Sequence, residues 1–207
     1  MPCLLSMIKK RNYYQLFEQE LAQMDKKAKL LVHVCCGPCS MYPMSILSQY
    51  FDLTIYYTNS NIYPQAEYEL RLNELMRYLD MLNNPHQLVI PPYQPIEYLK
   101  KIWPYKDAKE GGIRCLKCYA LRMNEAAKYA AEHGFKYFTT IMSVSSHKNS
   151  YYINELGELM EKEYGVKFIH SDFKKHDGVK KNNELNKKYE LYRQDYCGCV
   201  FSLLDKK

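Results

Sequence analysis

The sequence predicts a doubly wound α/β protein with a mostly parallel sheet, and three observations carry that expectation. Short β-branched and apolar runs alternate along the chain with longer segments whose apolar residues recur at helical spacing. The first unit reads strand, helix, strand, which a right-handed crossover turns into a parallel pair. Neither an internal repeat nor a low-complexity linker interrupts the alternation. With 207 residues at 47% hydrophobic, the chain is long enough to bury one core and cramped for two, so residues 1–207 read as one domain.

Taken in order, Asn12 to Lys26 places Tyr13, Leu16, Phe17, Leu21 and Met24 on one helical face, a helix within an N-terminal extension over residues 1–28. Lys29 to Val34 reads as the first strand of a core over residues 29–202. It stops in Cys35-Cys-Gly-Pro-Cys39, and a helix is expected from Met41 to Tyr50 before a second strand, Asp52 to Tyr57. A polar loop leads to a long helix, Gln65 to Leu82, with Pro64 suited to its first turn. Gln87 to Pro91 is a third strand, and Tyr93 to Arg114 reads as irregular, with Pro95, Trp103, Pro104 and the Gly111-Gly112 pair. Cys115-Leu-Lys-Cys118 then runs into a helix expected over Tyr119 to His133 and closed by Gly134. Lys136 to Ile141 and Lys167 to His170 are the remaining strands, separated by a Ser- and Asn-rich loop and a helix ending at Tyr164. A lysine-rich segment, a helix to about Tyr192 and the tail Arg193 to Ser202 complete the chain.

Composition narrows the function. The 29 Lys and Arg against 23 Asp and Glu leave a net charge of +6, with 21 Tyr and 7 Phe interleaved, a mild basic excess compatible with an RNA partner and with none. No apolar run approaches the roughly 20 residues of a membrane-spanning helix. The N-terminus lacks the basic region of a secretion signal, so a cytoplasmic protein with no membrane partner is expected. Eight cysteines in such a chain point to metal binding or redox chemistry more than to structural disulfides.

Seven of those cysteines fall into three groups: Cys35, Cys36 and Cys39; Cys115 and Cys118; Cys197 and Cys199; Cys3 stands apart with no role assigned. Cys36-Gly-Pro-Cys39 spells a thioredoxin-like dithiol, although Cys35 stands where that motif has tryptophan and five further cysteines go unexplained. A zinc site built from Cys115, Cys118 and another pair is the second reading, and it would suit a zinc-held RNA-binding module. Adjacent residues such as Cys35 and Cys36 serve one tetrahedral ion poorly, because neighbouring side chains diverge. A multi-iron cluster is the third reading: its corners are spread, and Cys35, Cys36, Cys115 and Cys118 would complete four thiolates. A Cys-Gly-Cys ring is small, so a disulfide between Cys197 and Cys199 would be easily reduced and suited to electron relay. A fourth reading, cysteines as buried hydrophobes, suits single ones and not this grouping.

Four ordered stretches carry a family resemblance: His33-Val-Cys-Cys-Gly-Pro-Cys39, Tyr63-Pro-x-x-Glu-Tyr-x-x-Arg71, Gly111-Gly-Ile-Arg-Cys-x-x-Cys-Tyr-x-x-Arg122 and Tyr192-Arg-Gln-x-Tyr-Cys-Gly-Cys-x-x-Ser202. Together they resemble the QueH-type epoxyqueuosine reductases, over nearly the whole span from Lys29 to Ser202. The resemblance implies a single catalytic domain with a Rossmann-like three-layer fold related to adenine nucleotide alpha hydrolases, plus helical additions. It implies a cytoplasmic oxidoreductase that turns epoxyqueuosine at the tRNA wobble position into queuosine, with an unidentified electron donor. A [4Fe-4S] cluster on Cys35, Cys36, Cys115 and Cys118 and a redox-active pair at Cys197 and Cys199 follow by the same likeness. Cys39 stands where some members carry aspartate and where a second, mononuclear iron would bind. Thr139, Thr140, Lys148 and Asn149 match a loop of that family and are expected near substrate.

Other polar residues have plainer readings. His33 is expected to pack or hydrogen-bond within its strand rather than move protons. Arg114 and Arg122 flank the second cysteine group and would neutralise an anionic cluster or bind phosphate. Lys174, Lys175, Lys180, Lys181, Lys187 and Lys188 form a run that would touch RNA phosphates or simply face solvent.

Overall fold

The computed structural model describes residues 11–24, 27–82 and 86–205. Cys3, the first ten residues of the N-terminal extension and the end of the expected first helix, Asp25 and Lys26, lie outside them. Five strands form one sheet: β1 (Ala28–His33), β2 (Phe51–Tyr56), β3 (Gln87–Val89), β4 (Tyr137–Thr140) and β5 (Lys167–Phe168). Their order is β3-β2-β1-β4-β5 and every pairing is parallel, with Val32 lying opposite both Ile55 and Thr139.

The helices are α1 (Tyr13–Ala22), α2 (Gly37–Tyr50), α3 (Gln65–Met81), α4 (Pro95–Ile102), α5 (Ile113–Glu132), α6 (Ser150–Tyr164), α7 (Gly178–Lys188) and α8 (Val200–Leu204). Side chains of β1 alternate between two layers, as strand geometry requires. Leu30 and Val32 join Phe17 of α1, Leu47 of α2 and Leu75 of α3 on one face. Leu31 joins Met123 and Ala127 of α5 and Ile153 of α6 on the other. Leu30, Leu31 and Val32 are fully buried, each worth about 1.5–3 kcal/mol relative to exposure. The expected α/β/α sandwich is therefore present, its central strand near-continuously apolar because it is covered on both faces.

Several boundaries differ from expectation, and prolines explain two of them. α2 starts at Gly37 instead of Met41 because Pro38 sits in its first turn, where no backbone donor is needed. Gly37 is required there: a Cβ would lie 2.9 Å from the Glu74 carbonyl oxygen of α3. α5 starts at Ile113, so Cys115 and Cys118 lie on the helix and not before it. The stretch expected to be irregular holds α4, opened by Pro95, and a 3-10 turn over Trp103–Tyr105. α7 stops at Lys188, and Glu190 follows at φ 47°. β5 is two residues long, and His170 leaves it to bond side chains of α1 and α6.

The strand order reverses direction between β1 and β4. The loops beyond their carboxyl ends diverge there and leave a crevice, the usual ligand position in open parallel sheets.

Candidate active site

β1 ends at His33, and Val34, Cys35 and Cys36 lead directly into α2. The sulfurs of Cys35, Cys36 and Cys39 all lie within 4.8 Å of one another. Cys35 and Cys36 are buried and Cys39 is half-buried. Cys36 caps α2 in an extended conformation, so the positive end of that helix faces the sulfurs and favours thiolate. Gln194 Nε2 donates to Cys36 Sγ at 3.2 Å and to Cys39 Sγ at 3.6 Å. Hydrogen bonds from Cys36 and Cys39 hold the Cys35 thiol well below its ordinary range, whereas burial pushes Cys36 up.

Cys115 and Cys118 stand in the opening turns of α5, again at the positive end of a helix. The Gly111 amide donates to Cys115 Sγ at 3.2 Å. Burial raises the pKa of both thiols, and at Cys118 nearby Arg122 and a hydrogen bond from Tyr98 oppose it. Ile102 of α4 and Phe201 of α8 bury Cys118 in a small apolar cluster, with Tyr98, Leu99 and Cys199 packed against it.

The Cys197-Gly198-Cys199 turn is held from α3. Arg71 is 2% exposed. Its Nε bonds Glu67 at 2.7 Å, while Nη1 and Nη2 donate to the carbonyls of Cys197 and Tyr196 at 3.1 and 3.3 Å. The Tyr63 amide donates to the Gly198 carbonyl at 2.7 Å. Gly198 has φ 118°, and a Cβ there would sit 2.8 Å from Arg71 Nη1, so both conformation and space demand glycine. All seven described cysteines are free thiols.

A cleft of about 650 Å³ opens above these groups, walled by Cys39, Cys197, Tyr119, Lys148, Asn186 and Arg193. Among the described residues, Cys35, Cys36 and Cys39 are the tight sulfur group. Cys115 and Cys118 instead lie within electrostatic reach of Cys197 and Cys199. Arg122 lies between the two sets, its guanidinium under the field of Cys118, Cys35 and Cys197.

The counter-charges test whether a metal–sulfur group suits these residues. Arg122 is 4% exposed, and its Nε and Nη2 have no hydrogen-bond partner. Burial works against its charge, yet the neighbouring sulfurs of Cys118, Cys35 and Cys197 outweigh it and raise its pKa. Lys148 behaves alike: burial acts to lower its pKa, and the nearby sulfurs of Cys197, Cys35 and Cys39 raise it. A buried cation without a partner costs several kcal/mol. A negatively charged thiolate–iron group beside Arg122 removes that cost, and soft thiolate donors are those iron–sulfur clusters use. The residues fit the group.

Other expected residues fall elsewhere. His33 is fully buried, its Nε2 bonded to the Thr58 carbonyl at 3.3 Å and its Nδ1 2.8 Å from Thr140 Oγ1. Burial, aided by Arg122, drops its pKa to about 3, so it stays neutral and structural. Thr139 donates to the Ile169 carbonyl, and Asn149 caps α6. Of the four residues in that loop set, Lys148 is the one on the cleft wall. Cys36 is wholly buried, which deprives a thioredoxin-like dithiol of the accessible nucleophile it needs. Sequence reasoning missed Gln194, Tyr98, and the pair Asn182 and Asn186, whose amides donate to the Pro38 carbonyl at 2.8 and 2.9 Å. Only Gln194 had a signal, its place in the closing motif.

Comparison with known proteins agrees with this geometry. A family model described as "Epoxyqueuosine reductase QueH" matches residues 30–205. Curated proteins of that name are 38% identical in Streptococcus pyogenes serotype M1, over 93% of this chain and 78% of theirs. In Staphylococcus aureus (strain Mu50) the identity is 37%, over 95% of this chain and 86% of that protein. The relative in Thermotoga maritima is 34% identical over 86% of this chain and 92% of its own. In fold, the chain is similar to a crystal structure described as a predicted subunit of tRNA methyltransferase from Methanocaldococcus jannaschii. That match has a TM-score of 0.50 at 16% identity and covers 77% and 76% of the two chains. With a doubly wound sheet, cysteines gathered at its switch point and a family match spanning both, the chain belongs to the QueH family of epoxyqueuosine reductases.

Proposed function

We propose that this chain removes the epoxide oxygen of epoxyqueuosine at the wobble position of tRNA, leaving queuosine, the last step in making that nucleoside. The observation that carries the proposal is the cleft of about 650 Å³ with Cys39, Cys197 and Lys148 on its wall. It is large enough for an unstacked nucleoside and places thiols and a cation against it.

The reaction breaks two carbon–oxygen bonds and forms an alkene, and the oxygen leaves as water. It consumes two electrons and two protons, the amount released when a dithiol becomes a disulfide. Cys197 lies on the cleft wall with Cys199 two residues on, held by Arg71 and Glu67. This pair is assigned as the two-electron store, to be reduced again by an external donor. Lys148 presents its ammonium to the oxygen as negative charge develops there. Cys35, Cys36, Cys115 and Cys118 are the residues that would hold a [4Fe-4S] cluster, with Cys39 serving a second, mononuclear iron. Bound iron supplies single electrons and a Lewis acid for the epoxide oxygen. Arg122 neutralises the thiolates. A cytoplasmic setting keeps the thiols reduced.

The test is the absorption spectrum and metal content of anaerobically purified protein. A brown protein with iron and acid-labile sulfide, accepting at least two electrons per chain, is the expected result. A colourless zinc protein, or one free of metal, would overturn the iron–sulfur assignment.

A further inference from the structure

The segment covering the cysteines has an outer face that the chemistry does not use. α4 and the turn after it turn Ile102 inward onto Cys118 and Phe201, fully buried. The next residue, Trp103, points outward and is 54% exposed, and Ile96 of α4 and Ile113 at the start of α5 are 68% and 47% exposed. Trp103 packs on Phe201 of α8 with ring centroids 6.4 Å apart. Cations border the aromatic rings: Lys106 Nζ is 5.9 Å from the Trp103 ring and Lys117 Nζ is 5.6 Å from the Tyr105 ring. Residues 95–117 hold six basic side chains (Lys100, Lys101, Lys106, Lys109, Arg114, Lys117) against three acidic ones (Glu97, Asp107, Glu110). Glu97 and Asp107 pair with Lys100 and Lys106. The same segment reaches the cleft rim at Glu110, and Arg114 lies 3.6 Å from Asp205 on that rim.

We propose that this face is a stacking platform for single-stranded RNA, with Trp103 receiving an unpaired base next to the nucleotide that enters the cleft. The inference rests on the tRNA reading above and adds to it where the flanking loop lies. A nucleotide drawn into the cleft leaves its neighbours unstacked, and an aromatic face restores that stacking for any base. Exposed aromatics interleaved with lysines match RNA, whose bases are planar and whose backbone is anionic. Lys117, beside Tyr105, and Lys109 of the same segment are exposed and suit the phosphates.

Trp103 is the chain's single tryptophan, so its fluorescence reports on this face alone. The purified protein is titrated with an RNA hairpin bearing an anticodon-type loop, with a fully duplexed hairpin, and with a small acidic ferredoxin. Affinity is read separately by anisotropy of labelled RNA for wild type, Trp103→Phe and Trp103→Ala. The looped hairpin is expected to quench Trp103 and the duplex not to. Trp103→Ala should bind the looped hairpin about ten- to a hundredfold more weakly. Trp103→Phe should bind nearly as wild type. If the alanine variant misfolds by circular dichroism, quenching of wild-type Trp103 by the looped hairpin and not by the duplex still decides. Looped RNA that binds equally well to all three proteins, with unchanged fluorescence, would overturn the platform while leaving the tRNA reading intact. No RNA binding at all would remove both. Quenching by the ferredoxin and not by RNA would give the face to an electron donor, and the platform would fall.

Discussion

At the scale of single residues, the site is a balance between thiols and buried cations. Arg122 has two buried nitrogens without hydrogen-bond partners, and they suit an anionic group beside Cys118 and Cys35. Arg122→Gln should therefore leave the metal-free protein equally stable or more so, because an uncompensated buried charge is gone. In the loaded protein the same change should lower the cluster's reduction potential, by on the order of tens of millivolts, read by spectroscopic titration. An unchanged potential would detach Arg122 from the cluster. Gly198 is the second such residue. Gly198→Ala must adopt φ near 118° and push on Arg71, and should cost about 1–3 kcal/mol in thermal unfolding. The cysteines themselves were legible in the sequence because clustered thiols have few other uses. Gln194 and Tyr98 were harder to read, because their bonds to the sulfurs of Cys36, 158 residues away, and of Cys118 leave no local pattern.

At the scale of elements, hydrophobic alternation located every strand, and the errors gathered where prolines and glycines read as breakers. Pro38 and Pro95 open helices rather than ending them. α4, whose Ile102 seals Cys118, was hidden for that reason. The docking of α1 is an element-scale property with a pH signature. His170 bonds Glu20 of α1 at 2.7 Å and Glu158 of α6 at 2.9 Å. Tyr13 of α1 stacks on its ring, Lys167 of β5 reaches Glu20, and Arg11 reaches Glu158; Tyr13 also bonds Glu155 of α6. Burial would lower the His170 pKa, but the two carboxylates outweigh it and raise it above 6.5. A raised value means that this stabilisation is complete below the ordinary pKa and is lost as pH rises through the folded one. Glu158 is resisted by burial but held below 4.5 by His170 and Arg11, so its share is lost as pH falls through that depressed value. The protection factors of the Tyr13–Ala22 amides, the intrinsic exchange rate at each pH divided by the observed one, should accordingly be highest in mildly acidic solution and fall toward alkaline pH. His170→Gln should abolish the alkaline fall in protection, and wild-type protection factors that stay constant with pH would refute the clamp.

At the scale of the whole molecule, the order β3-β2-β1-β4-β5 decides where chemistry occurs. Three cysteine groups far apart in sequence meet beyond the carboxyl ends of β1 and β4, each group at the start of a helix: α2, α5 or α8. The alternation of strands and helices made the fold class readable, and the order of motifs made the family readable. The partition of the thiols into a tight group and a looser set around Arg122 was not readable, because it depends on how α4 and the C-terminal tail close over the sheet. The central claim is that this assembly deoxygenates epoxyqueuosine in tRNA. Its most direct test incubates anaerobically reduced protein with tRNA containing epoxyqueuosine and analyses the nucleosides by mass spectrometry. The account expects queuosine, lighter by one oxygen atom, from the wild type and none from Cys35→Ser or Cys115→Ser; unconverted epoxyqueuosine with fully iron-loaded wild type, or full conversion by either serine variant, would contradict it.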